Sequence, residues 1–183
     1  MLTQIGQKRE SNFSEPIGML EDCHKRIQYF LRTLVRLAEA GQQRDLKEDE
    51  RAALQTALRY FREAAPKHTA DEEESLFPRL RRIDSPQVQE IFAKVDRLQS
   101  DHRHADEQHS AVDAIGSRWL AAGYLDPREG ARFAALLGDL SELYREHIPL
   151  EEKEIFPVAK NVLSAPAQES MGQEMAQRRG VVP

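Results

Sequence analysis

The chain has 183 residues, a length typical of one domain with its own hydrophobic core. Its net charge is −5 and its basic residues are scattered among acids, which excludes the electropositive surface of a nucleic-acid-binding protein. No run approaches the roughly 20 apolar residues of a membrane span, and the polar first 16 residues lack the apolar stretch of a signal peptide. The single cysteine, Cys23, excludes an internal disulfide and favours a reducing, cytoplasmic location.

Apolar residues recur at helical spacing over most of the chain, and the composition favours helix over strand. The first predicted helix ends near Gly41, because glycine is typical of helix ends. A second begins after Asp45, with acids in its first turns where the helix dipole favours them, and runs towards Arg81. The apolar stripes of these helices are Ile17, Leu20, Ile27, Leu31, Leu34 and Leu37, then Leu54, Leu58, Phe61 and Ala65.

The third and fourth predicted helices both begin at a capping residue followed by proline. Ser85-Pro86 starts the third helix, and Asp126-Pro127 starts the fourth, which runs to about Leu163. Short connections between long helices place them antiparallel. The predicted fold class is therefore all-α, an up-down-up-down antiparallel four-helix bundle.

The predicted domain organisation has three parts. Residues 1–15 form an N-terminal arm and residues 16–163 form the bundle. Residues 164–183 carry no sustained apolar stripe and are rich in polar residues, alanine, glycine and proline. Such a composition predicts a flexible C-terminal tail.

A repeat of about 79 residues relates the two halves of the chain. HTADEEESLFP at 68–78 and HIPLEEKEIFP at 147–157 share a histidine, a Glu-Glu pair and a Phe-Pro step at equal spacing. The first and third helices also correspond, at an offset of about 78, which pairs His24 with His102. The chain is therefore predicted to be a duplicated helical hairpin.

The duplication selects one histidine from the three on the third helix. His104 lies about 200° around the helix from His102 and is predicted to face away. The repeat aligns His109 with Leu31, so His109 is predicted to be a core residue or a residue that supports the site.

The repeated residues predict a pair of metal ions in the bundle core. Histidine and glutamate at i and i+4 project from one helical face, and buried imidazoles and carboxylates are costly unless paired or metal-bound. Imidazole with carboxylate suits iron or manganese better than calcium, and the absence of thiolates argues against structural zinc. The predicted ligands are His24, His68, Glu72, His102, His147 and Glu151.

Several alternatives stay open at this stage. A ferritin-like site is not one of them, because it needs Glu-x-x-His on two helices and that pattern occurs only once, at Glu21–His24, so the histidine-rich site is preferred. Glu73 or Glu152 could replace a motif glutamate. The sequence does not assign the roles of four further residues, which are Cys23, Asp106, His109 and Tyr144.

Taken together, His24, His68-x-x-x-Glu72, His102 and His147-x-x-x-Glu151 resemble the hemerythrin-like (HHE cation-binding) domain of bacterial type, over roughly residues 16–163. The resemblance implies a non-haem di-iron centre, oxo- or hydroxo-bridged, in which both motif glutamates bridge the two irons. It further implies that His24 and His68 bind one iron while His102 and His147 bind the other.

The resemblance also implies a function. Oxygen-carrying hemerythrins have a fifth histidine one turn from the third-helix histidine, whereas this chain has Asp106 there. The expected function is to bind or react with dioxygen or nitric oxide, for sensing, scavenging or stress response. The alternative is a di-iron enzyme or iron donor acting in peroxide or nitric oxide detoxification or iron-sulfur cluster repair. The expected state is a monomer or homodimer, without nucleic-acid or membrane partners.

Overall fold

The computed structural model describes residues 10–41 and 44–181, and within these ranges the regular structure is all helical. Every helix there is too short or too polar to serve as a membrane span. The elements are α1 (Pro16–Ala40); α2 (Glu48–Glu63, Ala65–Ala70, a π-helical turn at Asp71–Leu76, and Phe77–Arg81); α3 (Pro86–Ala122); α4 (Pro127–Leu150, a π-helical turn at Glu151–Ile155, and Phe156–Val162); and α5 (Ala165–Arg178).

Helix boundaries follow the local chemistry of the sequence. The Ser85 hydroxyl accepts a hydrogen bond from the Val88 N–H, and the Asp126 carboxylate caps α4 in the same way. Gly123 ends α3 with φ at 78°, a left-handed conformation that glycine adopts without strain. These caps fix where α3 and α4 begin and how the chain turns between them.

The four long helices form a bundle with two apolar clusters and a polar layer between them. Helix α1 contacts α2 and α4, and α3 contacts the same two helices. One cluster surrounds Trp119 and Phe133, and the other surrounds Leu20 and Phe156. On each helix the predicted ligands fall between the residues of the first cluster and those of the second.

The backbone widens into a π-helical turn at two equivalent places, which helical periodicity does not predict. Phe77 donates its N–H to the carbonyl of Glu72, and Phe156 donates to Glu151, each five residues back. A proline follows each phenylalanine, and because proline has no N–H it leaves the carbonyl four residues earlier without an α-helical donor. The Phe-Pro steps therefore explain the widening, which lies where the two motif glutamates are.

The C-terminal segment differs from the predicted flexible tail at 164–183. Ala165–Arg178 form helix α5, which buries Met171 and Met175 fully in the cluster around Leu20. Gly172 lies so close to Phe13 that a Cβ there would come within 1.9 Å of the Phe13 carbonyl oxygen. Two methionines among small and polar residues make too narrow a stripe to stand out in the sequence. Residues 182–183, and residues 1–9 of the N-terminal arm, lie outside the described residues.

Candidate metal centre

All six predicted ligands lie in the polar layer, at the centre of the bundle. None is more than 6% exposed, although all are polar or charged. Each of the four long helices contributes at least one of them. Helix α1 carries His24, α2 carries His68 and Glu72, α3 carries His102, and α4 carries His147 and Glu151.

The four histidines are arranged as two pairs. His24 and His68 form the α1/α2 pair, with ring centroids 4.9 Å apart, and His102 and His147 form the α3/α4 pair, at 4.8 Å. Together with the glutamates, each pair gives a group whose donor atoms all lie within 4.8 Å of one another. Glu151 belongs to both groups, so the two pairs face a shared carboxylate.

Both buried glutamates face the two pairs at once. Glu72 Oε1 lies 3.5 Å from His68 Nε2, while its Oε2 lies 3.3 Å from His102 Nε2. Glu151 directs one oxygen to each pair in the same way, at 3.1 Å from the α1/α2 pair and 3.2 Å from the α3/α4 pair. Each buried carboxylate therefore presents one oxygen to each histidine pair.

The inner atoms of the site lack hydrogen-bond partners among the described residues. Both carboxylate oxygens of Glu72 and Glu151 are unsatisfied, as is Nε2 of His24 and of His102. Buried polar atoms are nearly always satisfied in folded proteins, because leaving one unpaired costs about 1–3 kcal/mol. Bound cations that accept imidazole and carboxylate ligands would satisfy these atoms together, so the residues fit a metal site.

The comparison with known proteins agrees with this geometry. Residues 15–159 match the hemerythrin HHE cation binding domain. The chain belongs to this family. An uncharacterised protein of Haemophilus influenzae is 29% identical over 171 residues, which are 93% of this chain and 94% of that protein. The matched family region ends before α5.

Burial sets the protonation of the hemerythrin-like site in the absence of a cation. Burial and the charge of Glu151 raise the pKa of Glu72 well above its usual value, and burial lowers the pKa of His68 well below its usual value. Burial also acts to lower the pKa of His24, but the carboxylates of Glu151 and Glu152 outweigh it and raise that pKa to about 10. Protons therefore occupy positions from which a cation must displace them, so metal binding is expected to release protons.

Carboxylates also surround the site on its outer side. The outer nitrogen, Nδ1, of three of the four histidines lies within hydrogen-bond distance of an acidic side chain, an arrangement that fixes the orientation and tautomer of the ring. These pairs are His24 with Glu152 at 3.0 Å, His102 with Glu73 at 2.9 Å, and His147 with Asp101 at 3.3 Å.

The two glutamates of each Glu-Glu pair make different contacts in the structure. Glu73 lies beside Nδ1 of His102, and Glu152 lies beside Nδ1 of His24, so each contacts a histidine from the other half of the repeat. Glu72 and Glu151 instead approach the Nε2 atoms, which face the centre of the site. The Phe-Pro rings support the same histidines, since Phe156 stacks on His24 and Phe77 on His102. The repeated Glu-Glu and Phe-Pro steps were the sequence signal for these roles.

The two pairs are not equivalent in this outer support. His68 Nδ1 is buried without a partner among the described residues, and the repeat places Cys23 where Asp101 serves His147. Asp101→Asn is therefore expected to weaken binding of one metal ion about 10–100-fold and to leave the other little changed. Stepwise anaerobic titration with ferrous iron checks this. Asp96→Asn, exposed on the same helix, is the control, and equal weakening of both steps would contradict the assignment.

A small cavity borders the histidines on one side. It measures about 30 Å³, enough for a molecule the size of water or a diatomic gas, since one water needs about 10–15 Å³. His68, His102 and His147 form one wall. Phe61, Pro66, Asp106 and His109 line both this cavity and a groove on the protein surface, so this wall separates the site from solvent.

A hydrogen-bonded pair also borders the cavity. His109 Nε2 lies 2.9 Å from the hydroxyl of Tyr144. Burial lowers the pKa of His109 to about 4 and raises the pKa of Tyr144, so at neutral pH the imidazole is uncharged and the phenol keeps its proton. We therefore assign the phenol as donor to His109 Nε2. His104 is exposed and contacts only the side chain of Gln108 among the hydrogen bonds of the described residues.

Proposed function

We propose that this hemerythrin-like domain, as an up-down-up-down antiparallel four-helix bundle, holds two non-haem iron ions that bind or react with dioxygen or nitric oxide. His24 and His68 would hold one iron, His102 and His147 would hold the other, and Glu72 and Glu151 would be shared between them. The observation that carries the proposal is the direction of the two buried carboxylates, each with one oxygen towards each pair.

The chain's own residues set what reaches the site. The cavity beside His68, His102 and His147 admits only a very small ligand, and its wall of Phe61, Pro66, Asp106 and His109 limits access of bulk water. Bound iron would supply a redox-active centre with open coordination positions. A small-ligand site of this kind serves sensing, scavenging or a stress response. A cytoplasmic location and a monomeric or homodimeric state stay predictions.

A second candidate function is peroxide or nitric oxide turnover, or iron donation for iron-sulfur cluster repair. The residues that favour turnover are Tyr144 and His109, because a hydrogen-bonded phenol and imidazole beside the cavity can deliver and accept a proton. Asp106 lines the same cavity, and burial raises the pKa of its carboxyl. An oxygen carrier needs no such proton donors.

Metal analysis followed by stopped-flow spectroscopy tests the proposal. Anaerobic loading of the full chain is expected to give two irons, and the absorbance change on adding dioxygen or nitric oxide is expected to reverse when the gas is removed. Irreversible oxidation with peroxide consumption would favour the second function. His102→Ala is expected to lose iron, whereas His104→Ala, exposed on the same helix, is the control. A protein that binds no more than one iron would contradict the proposal.

A further inference from the structure

Aromatic side chains form a continuous row from the metal centre to the protein surface. The ring of Tyr144 lies 6.1 Å from that of His147, and His109 contacts Tyr144 on its other side at 5.9 Å. Phe61 stacks on His109 with ring centroids 4.3 Å apart, and Tyr60 contacts Phe61 at 5.3 Å. The row therefore begins at a candidate ligand and crosses α4, α3 and α2.

The row continues on α1 and ends in solvent. Phe30 stacks on Tyr60 with ring centroids 4.4 Å apart, and Tyr29 contacts Phe30 at 5.1 Å. Tyr29 is 59% exposed, the most exposed large hydrophobic residue among those described. The exposed ring of Tyr29 therefore brings the row into contact with solvent.

Three of the four tyrosines of the chain lie in this row. A phenol is far easier to oxidise than a phenylalanine ring, so the tyrosines can each lose an electron while the phenylalanines only fill the space between them. We propose that Tyr144, Tyr60 and Tyr29 form an electron-transfer path that carries oxidising equivalents from the metal centre to the surface at Tyr29. This inference rests on the proposed iron centre.

Tyr144, the tyrosine nearest the metal centre, has a proton acceptor beside it. Hydrogen peroxide takes up two electrons and two protons to give two waters. Tyr144 supplies one of these electrons and passes its phenolic proton to His109 Nε2, bound iron would supply the other electron, and solvent supplies both protons that the peroxide takes up. Without such a base next to it, a buried phenol would hold its electron more tightly, because the cation left behind would be desolvated.

The remaining steps return Tyr144 to its starting state. Tyr60 gives an electron to the Tyr144 radical, which takes its proton back from His109, and Tyr60 releases its own proton to solvent. Tyr29 then gives an electron to the Tyr60 radical, which takes a proton from solvent, and Tyr29 releases its own proton to solvent. A thiol or ascorbate-type reductant in solution gives one electron and one proton to Tyr29, and a second equivalent of the same reductant would replace the electron that bound iron supplies. The outcome is reduction of peroxide without oxidation of the ligand histidines.

Radical labelling of the iron-loaded full chain tests the path. The protein is treated with hydrogen peroxide and a nitroso spin trap, and mass spectrometry locates the adduct. We expect the adduct on Tyr29 and not on Tyr124, which is 41% exposed but outside the row. Tyr144→Phe keeps the ring but removes the oxidisable hydroxyl, so labelling of Tyr29 is expected to fall to the level of iron-free protein. Tyr124→Phe is the matched control and is expected to change nothing.

Freeze-quench electron paramagnetic resonance gives a second readout. Tyr29→Phe is expected to keep a tyrosyl radical inside the protein that decays more slowly, and Tyr144→Phe is expected to show none. Equal labelling of Tyr124, or unchanged labelling of Tyr29 in Tyr144→Phe, would overturn the path. Iron content is measured on the same samples. Normal iron with no Tyr144-dependent radical overturns this inference alone, whereas absence of bound iron overturns the proposed function and the path with it.

Discussion

Replacing Glu151 by glutamine is expected to remove both metal ions from the protein while leaving the helical bundle folded. Glu151 is fully buried and directs its two oxygens at different histidine pairs, so one substitution removes a ligand from each metal position. An amide is uncharged and offers only one oxygen, so it cannot bridge two cations as a carboxylate does. Removing a side chain that only hydrogen-bonds to a metal ligand weakens metal binding about 10–100-fold. Removing the shared carboxylate of Glu151 is therefore expected to weaken metal binding by more than about 100-fold.

The bundle is expected to survive this substitution because the two apolar clusters on either side of the polar layer are unchanged. Two buried carboxylates face one another in the site, and the charge of Glu151 raises the pKa of Glu72. An amide at position 151 removes that repulsion. Anaerobic ferrous titration with metal analysis measures the loss, and circular dichroism measures the fold. The control is Glu154→Gln, in the same π-helical turn but exposed and paired with Lys94. Two irons retained by Glu151→Gln would contradict the bridging role.

The residues that the structure brings together at the centre could be predicted because a duplicated motif fixes their register. Glu72 and Glu151 are one helical turn after His68 and His147, so spacing alone places each pair on one face. In the sequence, the repeat is what distinguishes His102 from His104 and His109 on the same helix. Helix caps such as Ser85 and Asp126 could be predicted for a similar reason, since their chemistry is local.

Contacts between distant helices could not be predicted in the same way. Asp101 is next to His102 in the sequence, yet its carboxylate reaches His147 on α4, and the repeat gives no warning because Cys23 takes its place in the other half. The aromatic row likewise draws one or two rings from each helix, and no single helix shows a pattern. The π-helical turns depend on the backbone N–H that proline lacks, and the spacing of apolar residues does not predict them.

Charge pairing between distant residues, in addition to apolar packing, attaches helix α5 to the bundle. Asp71, the first residue of the π-helical turn on α2, is fully buried beside both arginines at the end of α5. Its carboxylate accepts hydrogen bonds from Arg178 at 2.9 Å and from Arg179 at 2.6 Å. Burial raises the pKa of Asp71, and the two arginines oppose that rise. Because Asp71 directly precedes Glu72, α5 is attached to the turn that carries a candidate ligand.

Arg178→Ala with Arg179→Ala is therefore expected to destabilise the protein by about 3–5 kcal/mol at neutral pH, since it leaves a buried carboxylate without a cation. The exposed pair of Arg97 and Glu146 supplies the control, because Arg97→Ala is expected to cost no more than about 1 kcal/mol. Urea denaturation of the metal-free proteins measures both changes.

The pH dependence and a compensating substitution separate lost charge pairing from lost packing. Without the arginines the folded-state pKa of Asp71 rises further above its unfolded value, so the folded variant binds a proton more tightly than the unfolded chain. The deficit is then complete above that raised pKa and shrinks as pH falls through it. Adding Asp71→Asn to the double variant is expected to restore part of the stability, because the amide carries no charge that needs compensation. A deficit that is the same at neutral and acidic pH, and that Asp71→Asn does not relieve, would show that the two arginines act through packing rather than through their charge pairing with Asp71.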